Sequence, residues 1–225
     1  MNLPNKLTML RMILIPVFLI FMFLEIQHGV GPGIIVAFND YIALFIFFVA
    51  SITDFFDGYI ARKRNMVTDF GKLFDPVADK LLVCSALIGL VYRYCTWDRF
   101  LNDESFFSIS GAPFVTALAI GVIIIIAREL FITAFRSMAA KNSIIIAADM
   151  PGKIKTFTQM IGISFLIAAL DLVIMDVVIF YIAFFIGFVA LMVGVIMAII
   201  SCILYLVKYK VVFSDMGQKK EEKGE

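Results

Sequence analysis

The chain has 225 residues, of which 62% are hydrophobic and only 16% charged, and its mean hydropathy is +1.01. A soluble domain is about 45–50% apolar, so this composition excludes an ordinary soluble fold and points to one membrane-embedded domain. Net charge is only +1; no nucleic-acid partner is expected, and the distribution of charge matters more than its total.

A helix needs about 20 residues to cross the hydrocarbon core, and six stretches meet that need. They run from Pro4 to Ile26, Asp40 to Arg62, Phe74 to Tyr92, Ala112 to Met138, Gly152 to Leu172 and Asp176 to Tyr209. The expected fold class is therefore all-α, a polytopic membrane protein with six transmembrane helices. No small-residue cleavage site follows the first apolar run, which reads as a retained span. Cys84, Cys95 and Cys202 have no metal or redox spacing, and Cys84 and Cys202 read as small hydrophobes in apolar runs. Residues 1–213 are expected to form the membrane domain, and 214–225 a disordered charged tail.

The links differ in kind. His28 to Asn39 contains Gly and Pro and has no acid or Lys/Arg. Arg93 to Gly111 is the longest polar link, and Leu172 to Asp176 reads as a tight turn. The amino terminus, the second and fourth links and the tail can be assigned to one side. That side holds Lys6, Arg11, Arg62, Lys63, Arg64, Lys72, Lys80, Arg128, Arg136, Lys141, Lys153, Lys155 and every lysine from Lys208 onward; the other holds Arg93 and Arg99. By the positive-inside rule the first side is cytoplasmic, so both termini are expected inside. His28, the sole histidine, falls on the outer side and is not a plausible catalytic base.

Four aspartates stand out on the ends of the second and third spans. Asp54 and Asp57 are three apart, with Gly58 and Ala61 on the same helical face; Asp75 and Asp79 are four apart. A short link makes the two helices antiparallel neighbours, so the acidic pairs converge at the cytoplasmic end. Acids beside a membrane core suggest a function by default. Four carboxylates in one partly dry place need cations unless some are protonated. Oxygen-only donors favour hard divalent ions, and no His or Cys nearby argues for zinc. Four acids can hold two ions about 3.5–4 Å apart, an arrangement suited to displacement at phosphorus. Gly58, Ala61 and Gly71 leave room for a ligand, and Arg62 can neutralise phosphate oxygens. The plainer alternative is that these acids reach water or pair with Arg62, Lys72 and Lys80. Asp69 lies in the link and reads as a solvated residue or helix cap.

The pattern Asp54-x2-Asp57-Gly58-x2-Ala61-Arg62-x8-Gly71-x3-Asp75-x3-Asp79 resembles the signature of the CDP-alcohol phosphotransferase family at every position and spacing. That resemblance implies a six-span membrane enzyme, usually a homodimer, dependent on a divalent metal (Mg²⁺ or Mn²⁺, two ions). It implies transfer of the phosphatidyl group of a CDP-activated lipid, CDP-diacylglycerol, to an alcohol with release of CMP. Asp54, Asp57, Asp75 and Asp79 would be the metal ligands, with Asp75 and Asp79 catalytic and Asp79 the proposed base. Asp57, Gly58, Ala61, Arg62 and Gly71 would form the CDP-binding part.

The acceptor must be read elsewhere. Asn5, Thr8 and Arg11 lie at spacings of three on the first span and are expected beside the site, the first two toward CDP. Arg11 there needs a polar partner or cavity, unless it reaches lipid phosphates. Arg128 and Arg136 are eight apart, which returns a helix to within about 80°. With Lys153, Lys155 and Arg11 they form a candidate anion pocket, in which Glu129 can orient one member and Gly152 leaves space. Such a pocket favours an acceptor that itself carries phosphate. The opening Asn-Leu-Pro-Asn-Lys-Leu-Thr-Met-Leu-Arg, the Ala-Arg-Glu-Leu of the fourth span and the Gly-Lys-Ile-Lys-Thr of the fifth look like the branch of the family that uses glycerol-3-phosphate. Inositol phosphate, serine or phosphatidylglycerol stay open as acceptors. Outside enzymes, an ion transporter predicts acids near the midplane, and a lipid-binding scaffold predicts no CMP release.

Overall fold

The computed structural model describes residues 3–23, 39–63, 69–96, 111–141, 150–175 and 177–208, excepting the side chains of residues 3–4, 54–73, 75, 140–141 and 173–175. The described residues form six helices: α1 Leu3–Phe23, α2 Asn39–Lys63, α3 Asp69–Thr96, α4 Ala112–Lys141, α5 Met150–Met175 and α6 Val177–Lys208. The chain is thus an all-α, multi-pass membrane protein, as its composition requires. α1, α4, α5 and α6 each contain a stretch long and apolar enough to cross a membrane; in α2 the described side chains include a shorter apolar part, Asn39–Thr53. His28, Arg64, Arg99, Asp176 and the tail lie outside the described residues.

Two helices extend beyond their expected ends. α3 begins at Asp69 and runs to Thr96, so Asp69 opens a helix instead of lying in the link, and Arg93 sits inside it. Arg93 can remain helical among apolar neighbours because Asp40 supplies a counter-charge: Arg93 Nη2 meets Asp40 Oδ2 at 2.6 Å, both side chains buried. α5 continues through Leu172 to Met175, where a turn was expected, since nothing in Leu-Val-Ile-Met interrupts a helix.

One end of the bundle is tied by polar contacts between helix termini. Asn39 Nδ2 donates to the Phe21 carbonyl at 2.5 Å, joining the start of α2 to the end of α1. The Tyr41 amide donates to Asp171 Oδ2 at 2.9 Å, joining α2 to the end of α5. Tyr94 OH donates to the Leu166 carbonyl at 3.0 Å, joining α3 to α5. These contacts make α1, α3 and α5 antiparallel to α2 and set a common level for all four. Fourteen residues separate Asp40 from Asp54 and Asp79 from Arg93, and sixteen separate Lys155 from Asp171. At about 1.5 Å per residue, Asp54, Asp79 and Lys155 lie about 21–24 Å from the clasp, at the opposite end of the bundle.

α5 and α6 form the most extensive pairing. A Cβ on Gly162 would lie 2.9 Å from both Cβ and backbone N of Leu191, and one on Gly187 would lie 2.9 Å from the backbone N of Leu166. Gly194 faces Gln159, and Gly152 faces Ser201. Each step forward on α5 thus meets an equal step back on α6, in an antiparallel pair with one continuous register. Apolar burial drives little association between helices in lipid, so close backbone contact through small residues does that work. Gly162→Ala is expected to push the pair apart and cost about 1–3 kcal/mol, read as a lowered melting temperature of the detergent-solubilised protein. An unchanged melting temperature would show that the seam has slack. The core between the helices holds Phe18, Phe47, Leu87, Leu90, Ile125 and Leu166, all buried.

Candidate functional site

The site end of the bundle is built from α1, α2, α3, α4, α5 and α6 in turn. On α1, Thr8 and Arg11 are buried together with Ile15, Phe18 and Met22. That alternation of three and four is one helical face, turned toward α2 and α3, the helices against which α1 packs. Arg11 is fully buried (0% exposed), so it is no lipid-phosphate anchor. Asn5 is half-buried one turn below.

The acidic signature occupies the far end of α2 and the near end of α3. Asp54, Asp57, Gly58, Ala61 and Arg62 lie within α2, and Gly71 and Asp75 within α3; their side chains lie outside the described residues. Asp79 is described and half-buried, between the buried Ala78 and Leu82. It interacts electrostatically with Lys80 on its own helix and with Lys155 on α5. Lys80 in turn feels Arg136 on α4. Charged side chains of α3, α4 and α5 thus lie within electrostatic reach of one another here.

α4, α5 and α6 bring a cluster of cations to the same place. Arg128 donates from Nη1 to Glu129 Oε1 at 3.0 Å and from Nη2 to Ser201 Oγ at 2.6 Å. The same Glu129 oxygen pairs with the ammonium of Lys155, which is buried. Arg136 donates to the Tyr205 hydroxyl and lies 5.2 Å from the centre of the Tyr205 ring. Of the expected acceptor-side residues, Arg128, Lys155 and Arg136 are tied to neighbouring helices by side-chain contacts, Arg136 from an exposed position; Lys153 is exposed. Arg11 belongs to the α1 face described above. Gly152 leaves room only for a methyl: a Cβ there would be 3.8 Å from Ser201 Oγ and 3.9 Å from Arg128 Nη2.

Ser201, Tyr205 and Gln159 were not singled out by sequence. Ser201 and Tyr205 lie four apart on α6, hence on one face, in an apolar run that hides them. Gln159 lies one turn beyond Lys155, buried, and among the described residues its Nε2 has no hydrogen-bond partner.

The charge balance of this cluster limits what it can hold. Arg128, Arg136 and Lys155 share one carboxylate, Glu129, so basic groups outnumber acids among these residues. Asp79 and Lys80 offset one another nearby. A phosphate monoester is an anion at neutral pH, the sign of charge that such a cluster favours. For a metal, the backbone register sets Asp54 and Asp79 at one depth on helices that pack together, and Asp57 and Asp75 about a turn away. The donor set is carboxylate oxygen, which fits a hard divalent ion and not a thiophilic one.

Long apolar helices bridged by ion pairs, with a cluster of charged side chains at one end, define a multi-pass membrane protein. A family model described as CDP-alcohol phosphatidyltransferase matches residues 1–200, and the chain belongs to that family. It is 43% identical over 169 residues to the CDP-diacylglycerol–glycerol-3-phosphate 3-phosphatidyltransferase of Bacillus subtilis, spanning 74% of this chain and 76% of that protein. It is 37% identical over 166 residues to the protein of that name from Rickettsia felis, with 74% and 75% spanned. To that of Escherichia coli K12 it is 34% identical over 168 residues, with 74% and 76% spanned.

Proposed function

We propose that this chain transfers the phosphatidyl group of CDP-diacylglycerol to glycerol-3-phosphate, giving phosphatidylglycerophosphate and CMP. The observation that carries the reading is the group of basic side chains, Arg128, Arg136 and Lys155, beside Asp79. A nucleotide-lipid signature alone accepts many alcohols; an excess of basic groups favours one that carries phosphate. The names of the relatives agree with it.

In this reading Asn5, Thr8, Asp57, Gly58, Ala61, Arg62 and Gly71 receive the CDP moiety. Arg128, Arg136 and Lys155 receive the acceptor phosphate, with Lys153 and Arg11 at the edges. Asp79 takes the proton of the acceptor hydroxyl. That hydroxyl oxygen bonds to the phosphorus bearing diacylglycerol as the bond to the CMP oxygen breaks. A carboxylate is a weak base for an alcohol, so positioning and electrostatics supply most of the acceleration. Asp54, Asp57, Asp75 and Asp79 would hold divalent metal, Mg²⁺ or Mn²⁺ in two sites, which when bound neutralises diphosphate charge. Lys155 is paired with Glu129. The enzyme would sit in a bacterial cytoplasmic membrane with site and termini facing the cytoplasm. Residues 1–213 would be the catalytic domain, 214–225 a charged tail, and two copies would pair.

Two measurements test it. In a screen of radiolabelled alcohols, glycerol-3-phosphate is expected to support CMP release far above inositol phosphate, serine or phosphatidylglycerol. Arg136→Ala is expected to raise the KM for glycerol-3-phosphate about tenfold or more with that for CDP-diacylglycerol little changed. Equal rises for both substrates would remove Arg136 from the acceptor pocket.

A further inference from the structure

The two arginines are not held alike by the protein around them. Arg128 shares Glu129 with Lys155, but its second nitrogen is held by the neutral hydroxyl of Ser201. Arg136 is held by a neutral hydroxyl and a neutral ring, both from Tyr205. Both anchors come from α6, one turn apart. Carboxylates at these positions would orient the guanidinium groups equally well, but would offset the excess of basic groups that favours a phosphate. A hydroxyl oxygen fixes the plane of a guanidinium and leaves its charge in place.

α6 is also fixed where it presents these oxygens. Its register on α5 runs unbroken from Gly187 against Leu166, through Gly194 against Gln159, to Ser201 against Gly152. Ser201 is fully buried and Tyr205 nearly so, so neither side chain can swing to water. The rail that carries the anchors is thus locked to the helix that carries Lys155.

We infer that Ser201 and Tyr205 are positioning residues: they aim Arg128 and Arg136 at an acceptor phosphate while adding no counter-charge of their own. The inference rests on the acceptor reading given above and deepens it. Neither hydroxyl needs to touch the substrate.

The test uses the full chain in mixed micelles with CDP-diacylglycerol, following CMP release. Tyr205→Phe keeps the ring and its volume and removes only the oxygen; Ser201→Ala removes the other. Each is expected to raise the KM for glycerol-3-phosphate about tenfold, with kcat and the KM for CDP-diacylglycerol within about threefold of native. Ser201→Thr, which restores a hydroxyl, is expected to bring the KM back within about threefold. Because Tyr205 acts through Arg136, Arg136→Ala/Tyr205→Phe is expected to be no worse than Arg136→Ala alone. If Arg136→Ala raises the acceptor KM while Tyr205→Phe and Ser201→Ala do not, the positioning role is overturned and the acceptor pocket stands. If Arg128→Ala and Arg136→Ala leave the acceptor KM unmoved, the pocket itself is wrong. Parallel losses for both substrates in Tyr205→Phe would mark a general loosening of the helices and overturn the inference as well.

Discussion

Asp79→Asn is expected to slow CMP release by about 10³-fold or more while the protein still inserts and melts like the native chain. The side chain keeps its shape, so the loss is one of charge and basicity. A positioned proton acceptor contributes about 10²–10⁴-fold, and the same change removes a carboxylate donor from the metal-type site. Asp79 is half-buried and within electrostatic reach of Lys155 and Lys80; its replacement leaves Lys155 still paired with Glu129, which is why the fold should tolerate it. The measurement is release of radiolabelled CMP at saturating concentrations of both substrates. A variant with more than a tenth of the native rate would falsify the base assignment.

Arg93→Leu is expected to be the most destabilising single change at the other end of the bundle. Arg93 is the cation facing the buried carboxylate of Asp40, and Asp171 lies in the same cluster. Removing one partner of a buried ion pair costs about 3–5 kcal/mol, because the charge left behind has neither water nor counter-charge. Thermal unfolding of the detergent-solubilised variant should occur well below the native temperature. Replacing both partners, as Arg93→Leu/Asp40→Leu, is expected to recover part of the loss, since apolar packing can substitute for a buried pair. Equal melting of Arg93→Leu and the native chain would show that the cluster is solvated and does not clamp the helices.

Much of this architecture could be read from the chain because the strongest signals are local. Hydrophobic runs are long enough to name each helix, and the spacing of Asp54, Asp57, Asp75 and Asp79 falls within one hairpin of α2 and α3. The errors also have local causes. Arg93 reads as a residue at the edge of a link because a charge normally ends a span; what keeps it helical is Asp40, 53 residues away. Asp171 reads as an acid near the end of the fifth span, with nothing local to name its partner; it accepts from the Tyr41 amide 130 residues away. Arg128, Arg136 and Lys155 could be grouped by helical spacing and sign of charge, and all three are tied to neighbouring helices by side-chain contacts. Lys153 carries the same charge two residues from Lys155 and faces outward, a distinction that depends on helix rotation and not on composition. Ser201 and Tyr205 carry no motif at all. Their role depends on which arginine each one meets across 73 and 69 residues of chain.

The α5–α6 pair has a consequence for how such a chain can change length. α5 ends at Met175 and α6 begins at Val177, and their register then holds down to Gly152 and Ser201. One residue added within α6 between Gly187 and Ser201 would rotate the lower half of the helix by about 100° and advance it by about 1.5 Å. Ser201 and Tyr205 would turn away from the arginines, although every residue of the site was still present. In this half of the molecule, a change of length would therefore displace the anchors of the arginines while leaving every residue of the site in the chain.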